Sequence, residues 1–259
     1  MRSLGWLTAF AMALTPAAAA VAKDEPLARA VAASHRTPTF VERDKYRQPL
    51  QELEFFGLKP NQTVVEISPG GGYWTEILAP YLRGKGALYT VVSPQGMESW
   101  KKKLDANPGL YDKVKVTQMG AESFDIAPAG SADLVVTFRN VHNWMARGTA
   151  GQVFAAAFKA LKPGGILGIE EHRAATDQPQ DPQAANGYVR EDYTIELATK
   201  AGFKLLEKSE LLANAKDTKD WSKGVWTLPP TLAEGDKDRE KYLAIGEADN
   251  FLLKFQKPR

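Results

Sequence analysis

The sequence predicts an α/β protein: a mostly parallel sheet with helices on both faces and an antiparallel strand at one edge. Three observations carry this. From residue 63 to residue 203, short apolar runs alternate with helix-like segments, the pattern of parallel strands joined by crossover helices. Three glycines stand between the first apolar run and the first helix-like segment, in "TVVEISPGGGYWTEILAPYL". The last two strand-like runs, "KLLEKSELL" and "NFLLKFQKP", flank a polar stretch with little helix, which suits antiparallel pairing at the sheet edge.

The elements follow in order. Residues 24–60 read as helical and polar; Leu50, Leu53 and Phe56 recur at helical spacing before Gly57, a helix stop. "TVVEIS" is a short buried strand. "GYWTEILAPYL" is a helix with Trp74, Ile77 and Leu78 on one face. "GALYTVVS" and "MESWKKKLDA" repeat the strand-helix unit. "KVKVTQM" alternates as a third strand, and "SADLVVTF" is a fourth. "AGQVFAAAFKAL" is a helix closed by "KPGG", and "ILGIEE" is a fifth strand. "REDYTIELATKAGF" is the helix before the final strand pair.

Composition sets limits on function. The chain has 259 residues and 44% hydrophobic content, enough for one good-sized core. Residues 1–22, "MRSLGWLTAFAMALTPAAAAVA", read as a secretory signal peptide: one arginine, an apolar centre from Leu4 to Leu14, then Ala20, Val21 and Ala22 before Lys23. The apolar centre is shorter than the roughly 20 residues of a membrane span. An exported protein is expected, in the bacterial periplasm, with no stable membrane insertion after cleavage. The chain has no cysteine, which excludes disulfides and thiolate metal sites. Cleavage removes one arginine from 33 basic residues set against 31 acidic ones, so the mature chain is near neutral and lacks the field of a nucleic-acid binder. Nothing in the sequence sets the oligomeric state.

The glycine run does not fit a triphosphate loop, because no lysine follows it. A dinucleotide loop needs a third glycine, and Thr75 stands in its place. Glu66 closes the first strand, and Ser68, Pro69, Gly70, Gly71 and Gly72 follow. Glycines let backbone approach a ligand closely. A carboxylate at the strand end suits a cationic group, such as an ammonium, better than a pyrophosphate.

These residues carry a resemblance. "VVEISPGGG" resembles the first motif of class I S-adenosylmethionine-dependent methyltransferases, acidic-x-Gly-x-Gly-x-Gly, with Ser68 replacing the first glycine. "SADLVVTF" is similar to their fourth strand, and "FKALKPGGILGI" to their helix-turn-strand. The resemblance runs from about Thr63 to Phe255. With "RDKYRQP" and "RNVHNW", the chain resembles a group of exported predicted methyltransferases. The resemblance implies a Rossmann-like class I methyltransferase sheet, S-adenosylmethionine as cofactor, and methyl transfer to a small-molecule acceptor. It divides the chain into a signal peptide (1–22), an N-terminal helical cap (23–60) and a methyltransferase-like domain (61–259) with an insertion at 213–248. It implies cofactor contacts from Glu66, Ser68, Gly70, Gly71, Gly72 and Tyr73. It also implies contacts from Ser93, where the family has an acid for the ribose, and from Ala121 and Glu122 beside the adenine.

The chemistry is expected from "FRNVHNW", after the fourth strand. Methyl transfer is an in-line displacement, for which the protein chiefly supplies position. His142 is the expected general base where the acceptor must lose a proton, since imidazole titrates near neutrality. Arg139 either anchors an anionic substrate or forms a structural salt bridge. Asn140, Asn143 and Trp144 are expected on the substrate side. So are Glu171 and His172, after the fifth strand in "GIEEHR"; polar lining fits them better than a metal site, and no metal is expected. Asp44, Tyr46 and Arg47 are expected to fold over the cofactor as a lid, and Trp221 and Trp226 to pack as an edge cover. Two rivals remain: an exported ligand-binding protein on the same fold without transfer, favoured by Ser93, and a nicotinamide dehydrogenase, weakened by the missing third glycine.

Overall fold

The computed structural model describes Met1, residues 24–120 and residues 123–259. The expected signal peptide, apart from Met1, and the adenine-side candidates Ala121 and Glu122 lie outside the described residues. Among the described residues, seven strands form one sheet: β1 (Thr63–Ile67), β2 (Ala87–Val92), β3 (Lys115–Gln118), β4 (Ala132–Phe138), β5 (Leu161–His172), β6 (Lys204–Ser209) and β7 (Asn250–Gln256). Their order is β3-β2-β1-β4-β5-β7-β6. Strands β1 to β5 pair in parallel; β7 runs antiparallel to both β5 and β6. The antiparallel strand therefore sits one place in from the edge, with β6 outermost.

The helical cap is four short helices, α1 (Glu25–Val31), α2 (Pro38–Val41), α3 (Asp44–Arg47) and α4 (Pro49–Phe56). Pro26, Pro38 and Pro49 each stand in a first turn, where a missing N–H costs nothing. Gln48, with φ of 41°, breaks α3 from α4. The crossovers are α5 (Thr75–Leu82), α6 (Met97–Asp105), α7 (Pro108–Tyr111), α8 (Val141–Ala146), α9 (Ala150–Ala160) and α10 (Glu191–Lys200); α11 (Arg239–Ile245) lies in the late insertion. Among the described residues no helix is long and apolar enough to cross a membrane.

Both faces of the sheet are covered, as alternation along the strands requires. Val65 and Ile67 join Phe154, Ile169 and Phe255 in one core. Val64 joins Phe56, Leu78, Leu134 and Leu252 in the other. Each such side chain contributes roughly 1.5–3 kcal/mol by burial. The structure differs from expectation at "KPGG", which is not a turn closing α9. It belongs to β5, where the register with β4 shifts between Ala132 and Leu134. Gly164, at φ of 83°, supplies the left-handed residue that this irregularity needs.

The connectivity places the site. The chain leaves β1 toward β2 and β3 on one side, then returns to β4 on the other. The carboxyl ends of β1 and β4 thus flank the switch point, where open α/β sheets bind ligands. The insertion covers this end. Asp217 fastens it, accepting bonds from Tyr188 Oη (2.9 Å), Trp221 Nε1 (2.7 Å) and the Asp249 N–H (2.9 Å).

Candidate functional site

The glycine loop leaves β1 through Ser68, at φ of 56°, whose N–H donates to the Val91 carbonyl at 2.9 Å. Gly70 has φ of 58°, and a Cβ added there would meet nothing within 4 Å. It borders two adjoining hollows at the carboxyl end of the sheet. One, about 340 Å³, lies between the glycine loop, the cap, the segment after β4 and the insertion. The other, about 260 Å³, lies over the ends of β1 and β2. Ser68, Pro69, Gly70, Asn140 and Asn143 border both. Gly71 borders the larger hollow, with the Phe40 ring 3.2 Å from where its Cβ would be. Gly72 departs from expectation. It borders neither hollow, and its missing side chain makes room for Lys103 and Trp100 of α6, 2.5 and 3.2 Å from a Cβ. Its role is packing, at φ of 94°.

Glu66 is fully buried and borders the larger hollow. One oxygen accepts from Thr75 Oγ1 at 2.6 Å; the other, Oε1, has no partner. Burial pushes its carboxyl up to about 7, against the pull of the Thr75 bond and the Lys103 charge. Tyr73 borders the same hollow, but its hydroxyl donates to Asp44 Oδ1 at 2.5 Å and its ring lies under the Arg47 guanidinium at 4.4 Å. It ties the loop to the cap. Ser93 borders the smaller hollow, where its Oγ accepts the Gly96 N–H at 3.2 Å.

Beyond β4, Asn140 acts as a clamp. Its amide nitrogen lies 3.1–3.4 Å from Thr137 Oγ1 and the carbonyls of Phe138, Ile67 and Ser68, so it holds the β1 and β4 ends together. His142 borders the larger hollow on α8. Its Nδ1 lies 2.9 Å from Glu171 Oε1, its N–H donates to Glu171 Oε2 at 3.1 Å, and Asn143 Nδ2 lies 3.0 Å from its Nε2. This network assigns the proton to Nδ1 and leaves Nε2 unprotonated, accepting from the Asn143 amide. Full burial pushes the Glu171 carboxyl up, but its contacts with the His142 ring and the His172 main chain outweigh this and hold it below its ordinary range.

Glu171 therefore needs correction as a substrate contact: it does not border the hollow and stands behind His142 as its orienting partner. His172 does border it; its Nδ1 donates to Asn250 Oδ1 at 2.7 Å, and burial pushes it down to about 3, so it is neutral. His142, Glu171 and His172 bring potential ligand atoms within 4.8 Å of one another. Glu171 already accepts three N–H bonds, from the His142 ring and main chain and from the His172 main chain at 2.8 Å, which account for the arrangement without a cation. Trp144 is also corrected. It is buried edge-on to Phe154 and borders the smaller hollow, away from the His142 chamber.

Arg139 forms the salt bridge that was one of its two expected roles. It borders the larger hollow, and its Nη1 pairs with Glu247 Oε2 at 2.6 Å. Of the expected lid residues, Arg47 borders the hollow, Asp44 ties Arg36 to Tyr73, and Tyr46 packs beside Gly246. Trp221 packs on Tyr242 as expected, whereas Trp226 faces the chamber, with its ring centroid 6.0 Å from that of His142. Sequence reasoning missed Phe40, Arg43 and Glu247. Arg43 was open to detection, one helical turn before Arg47; Glu247 was not, being 204 positions from the arginine it pairs with.

Residues 64–165 match the family described as "Methyltransferase domain". No curated protein sequence matches the chain. Solved structures share its fold. A SAM dependent methyltransferase from Aquifex aeolicus is similar with a TM-score of 0.59 and 17% identity, over 86% of this chain and 94% of that one. The [4+2]-cyclase SpnF gives 0.59 and 18% over 90% and 92%. Haemonchus contortus phosphoethanolamine N-methyltransferase 2, in complex with S-adenosyl-L-methionine, gives 0.54 and 19% over 83% and 53%. The fold is thus the Rossmann-like sheet of these methyltransferase structures, and the family match falls on residues 64–165 within it. A cyclase shares it, so the reaction must be argued from the site.

Proposed function

We propose that the protein binds S-adenosylmethionine across the two hollows and transfers its methyl group to a small organic acceptor held in the larger one. The observation that carries this is Glu66: a buried carboxyl oxygen without a partner, at the edge of a loop whose Gly70 leaves open space. An ammonium group satisfies that oxygen. The smaller hollow suits the adenosine, with Ser93 at the β2 end as a neutral ribose partner. S-adenosylmethionine itself carries the reactive methyl group as a sulfonium. The chain's part is to align an acceptor against it, exclude water beneath the cap and insertion, and take a proton where the nucleophile has one.

His142 Nε2 is the atom placed for that proton. Glu171 fixes the imidazole through Nδ1–H and stabilises the imidazolium that forms, as carboxylate–histidine pairs do elsewhere. Methyl transfer from S-adenosylmethionine leaves S-adenosylhomocysteine, whose release during an acceptor screen is the test. With an acceptor in hand, His142→Ala is expected to lower kcat by roughly 10²- to 10⁴-fold while leaving cofactor affinity in place. Unchanged kcat and KM would return His142 to a packing role. A second reading, ligand binding without transfer, draws on Ser93, whose hydroxyl caps the turn at Gly96 where a ribose-binding acid would otherwise sit. It predicts nucleoside binding with no S-adenosylhomocysteine release from any acceptor. Export to the periplasm is part of the proposal and rests on the leader.

A further inference from the structure

Three guanidinium groups meet at the wall of the larger hollow. Arg43 and Arg47 come from the cap, and Arg139 from the end of β4; all three border the hollow. Among the described residues one carboxylate pairs with all of them. Glu247 lies 2.5 and 3.0 Å from Arg43, 3.4 Å from Arg47 and 2.6 Å from Arg139. Glu247 itself is buried and does not border the hollow. Glu170 stands behind, 3.7 Å from Arg139 Nε, but burial outweighs the pull of Arg139 and keeps its carboxyl up near 7, so it offers only partial counter-charge.

The donors are also unspent. The one side-chain hydrogen bond of Arg47 among the described residues is the 3.4 Å contact to Glu247. Trp74 borders the same hollow, and its buried indole N–H has no partner. A buried donor without an acceptor is costly, and guanidinium groups favour oxyanions that accept two bonds at once. Phe138 and Trp226 add apolar walls beside them.

We infer that Arg43, Arg47 and Arg139 form an oxyanion-receiving subsite, and that the acceptor is a small organic acid, a carboxylate or phosphate ester, with an apolar body. Calling that ligand the methyl acceptor rests on the proposed methyl transfer; the subsite does not. The other source of a carboxylate is the amino-acid tail of S-adenosylmethionine, and the test separates the two.

Benzoate, phenyl phosphate and uncharged benzamide are titrated calorimetrically into protein saturated with S-adenosylhomocysteine. The two anions are expected to bind, more weakly as salt rises, and benzamide to bind at least about tenfold more weakly, the worth of one charge-assisted hydrogen bond. Arg43→Gln and Arg47→Gln are each expected to cost the anions about tenfold while the Kd for S-adenosylmethionine stays within about threefold. Arg43 is the more exposed of the two, and Arg47→Lys retains charge, so thermal unfolding of the three variants separates lost binding from lost folding. Equal binding of benzamide and benzoate by the wild type overturns the inference whatever the variants do. So does a loss of S-adenosylmethionine affinity in the variants that decarboxylated S-adenosylmethionine does not share, because the arginines would then serve the cofactor's own carboxylate. Should S-adenosylhomocysteine fail to bind, methyl transfer falls, and the same three probes titrated into the free protein still decide the subsite.

Discussion

Glu66 and the His142–Glu171 pair set what the site can do at the scale of single residues. Burial pushes the Glu66 carboxyl up to about 7, so near neutral pH it is partly protonated in the free protein. An ammonium ligand binds the ionised form. Binding at pH 6 should therefore release close to one proton, and affinity should rise toward pH 8, by at most about tenfold per pH unit. Calorimetry in buffers of different ionisation enthalpy checks this, and Glu66→Gln should abolish both the proton release and the pH dependence. The same shift has a stability sign. A carboxyl raised in the folded state stabilises below about 4.5 and loses that contribution as pH rises through 7, so Glu66→Gln should gain on the wild type in thermal unfolding at pH 8 relative to pH 5. Glu171 acts through His142 and is a positioning residue. Glu171→Gln should lower kcat by roughly 10²-fold or more and alter the pH–rate profile, with cofactor Kd unchanged; equal losses of stability and affinity with an unaltered profile would make it structural. The sequence made Glu66, Gly70 and His142 legible because each stands at a strand end beside a marked turn. It could not show that Glu171 turns inward, since consecutive strand residues face opposite sides and only the packing decides which side holds the ligand.

At the scale of elements, the glycine loop and the Asn140 clamp hold the β1 and β4 ends in register around the switch point. Gly70 and Gly72 divide the labour of the loop. Gly70→Ala places a methyl group in open space, so the expected outcome is weakened nucleoside binding with only the small stability cost of its positive φ. Gly72→Ala drives a methyl group against Lys103 and Trp100, and about 1–3 kcal/mol of stability should be lost, read as a lower midpoint in urea unfolding. A larger stability loss at Gly70 than at Gly72 would reverse this division. Strand–helix alternation made the parallel sheet and the antiparallel pair readable in advance. The long β5 was not, because "KPGG" satisfies local turn preferences, and its strand pairing with β4 and β7 is a tertiary effect.

For the whole molecule, one ion cluster joins three distant parts of the chain: the cap through Arg43 and Arg47, the sheet through Arg139 and the insertion through Glu247. Removing Glu247 leaves the buried Arg47 guanidinium without a carboxylate partner among the described residues and Arg139 with only Glu170. Glu247→Gln should cost on the order of 3–5 kcal/mol and expose the cap to proteolysis. Such a centre, built across 204 positions, has no local signature in sequence. Intact mass of protein from its host checks the proposed export, and loss of residues 1–22 is the expected result. The central claim is that the crevice holds S-adenosylmethionine, and direct calorimetric titration of the purified protein tests it most simply. The account predicts saturable binding at one site per chain, competition by S-adenosylhomocysteine, none by NAD, and weakened binding in Gly70→Ala. Failure of both S-adenosylmethionine and S-adenosylhomocysteine to bind the folded wild type at millimolar concentration would contradict it.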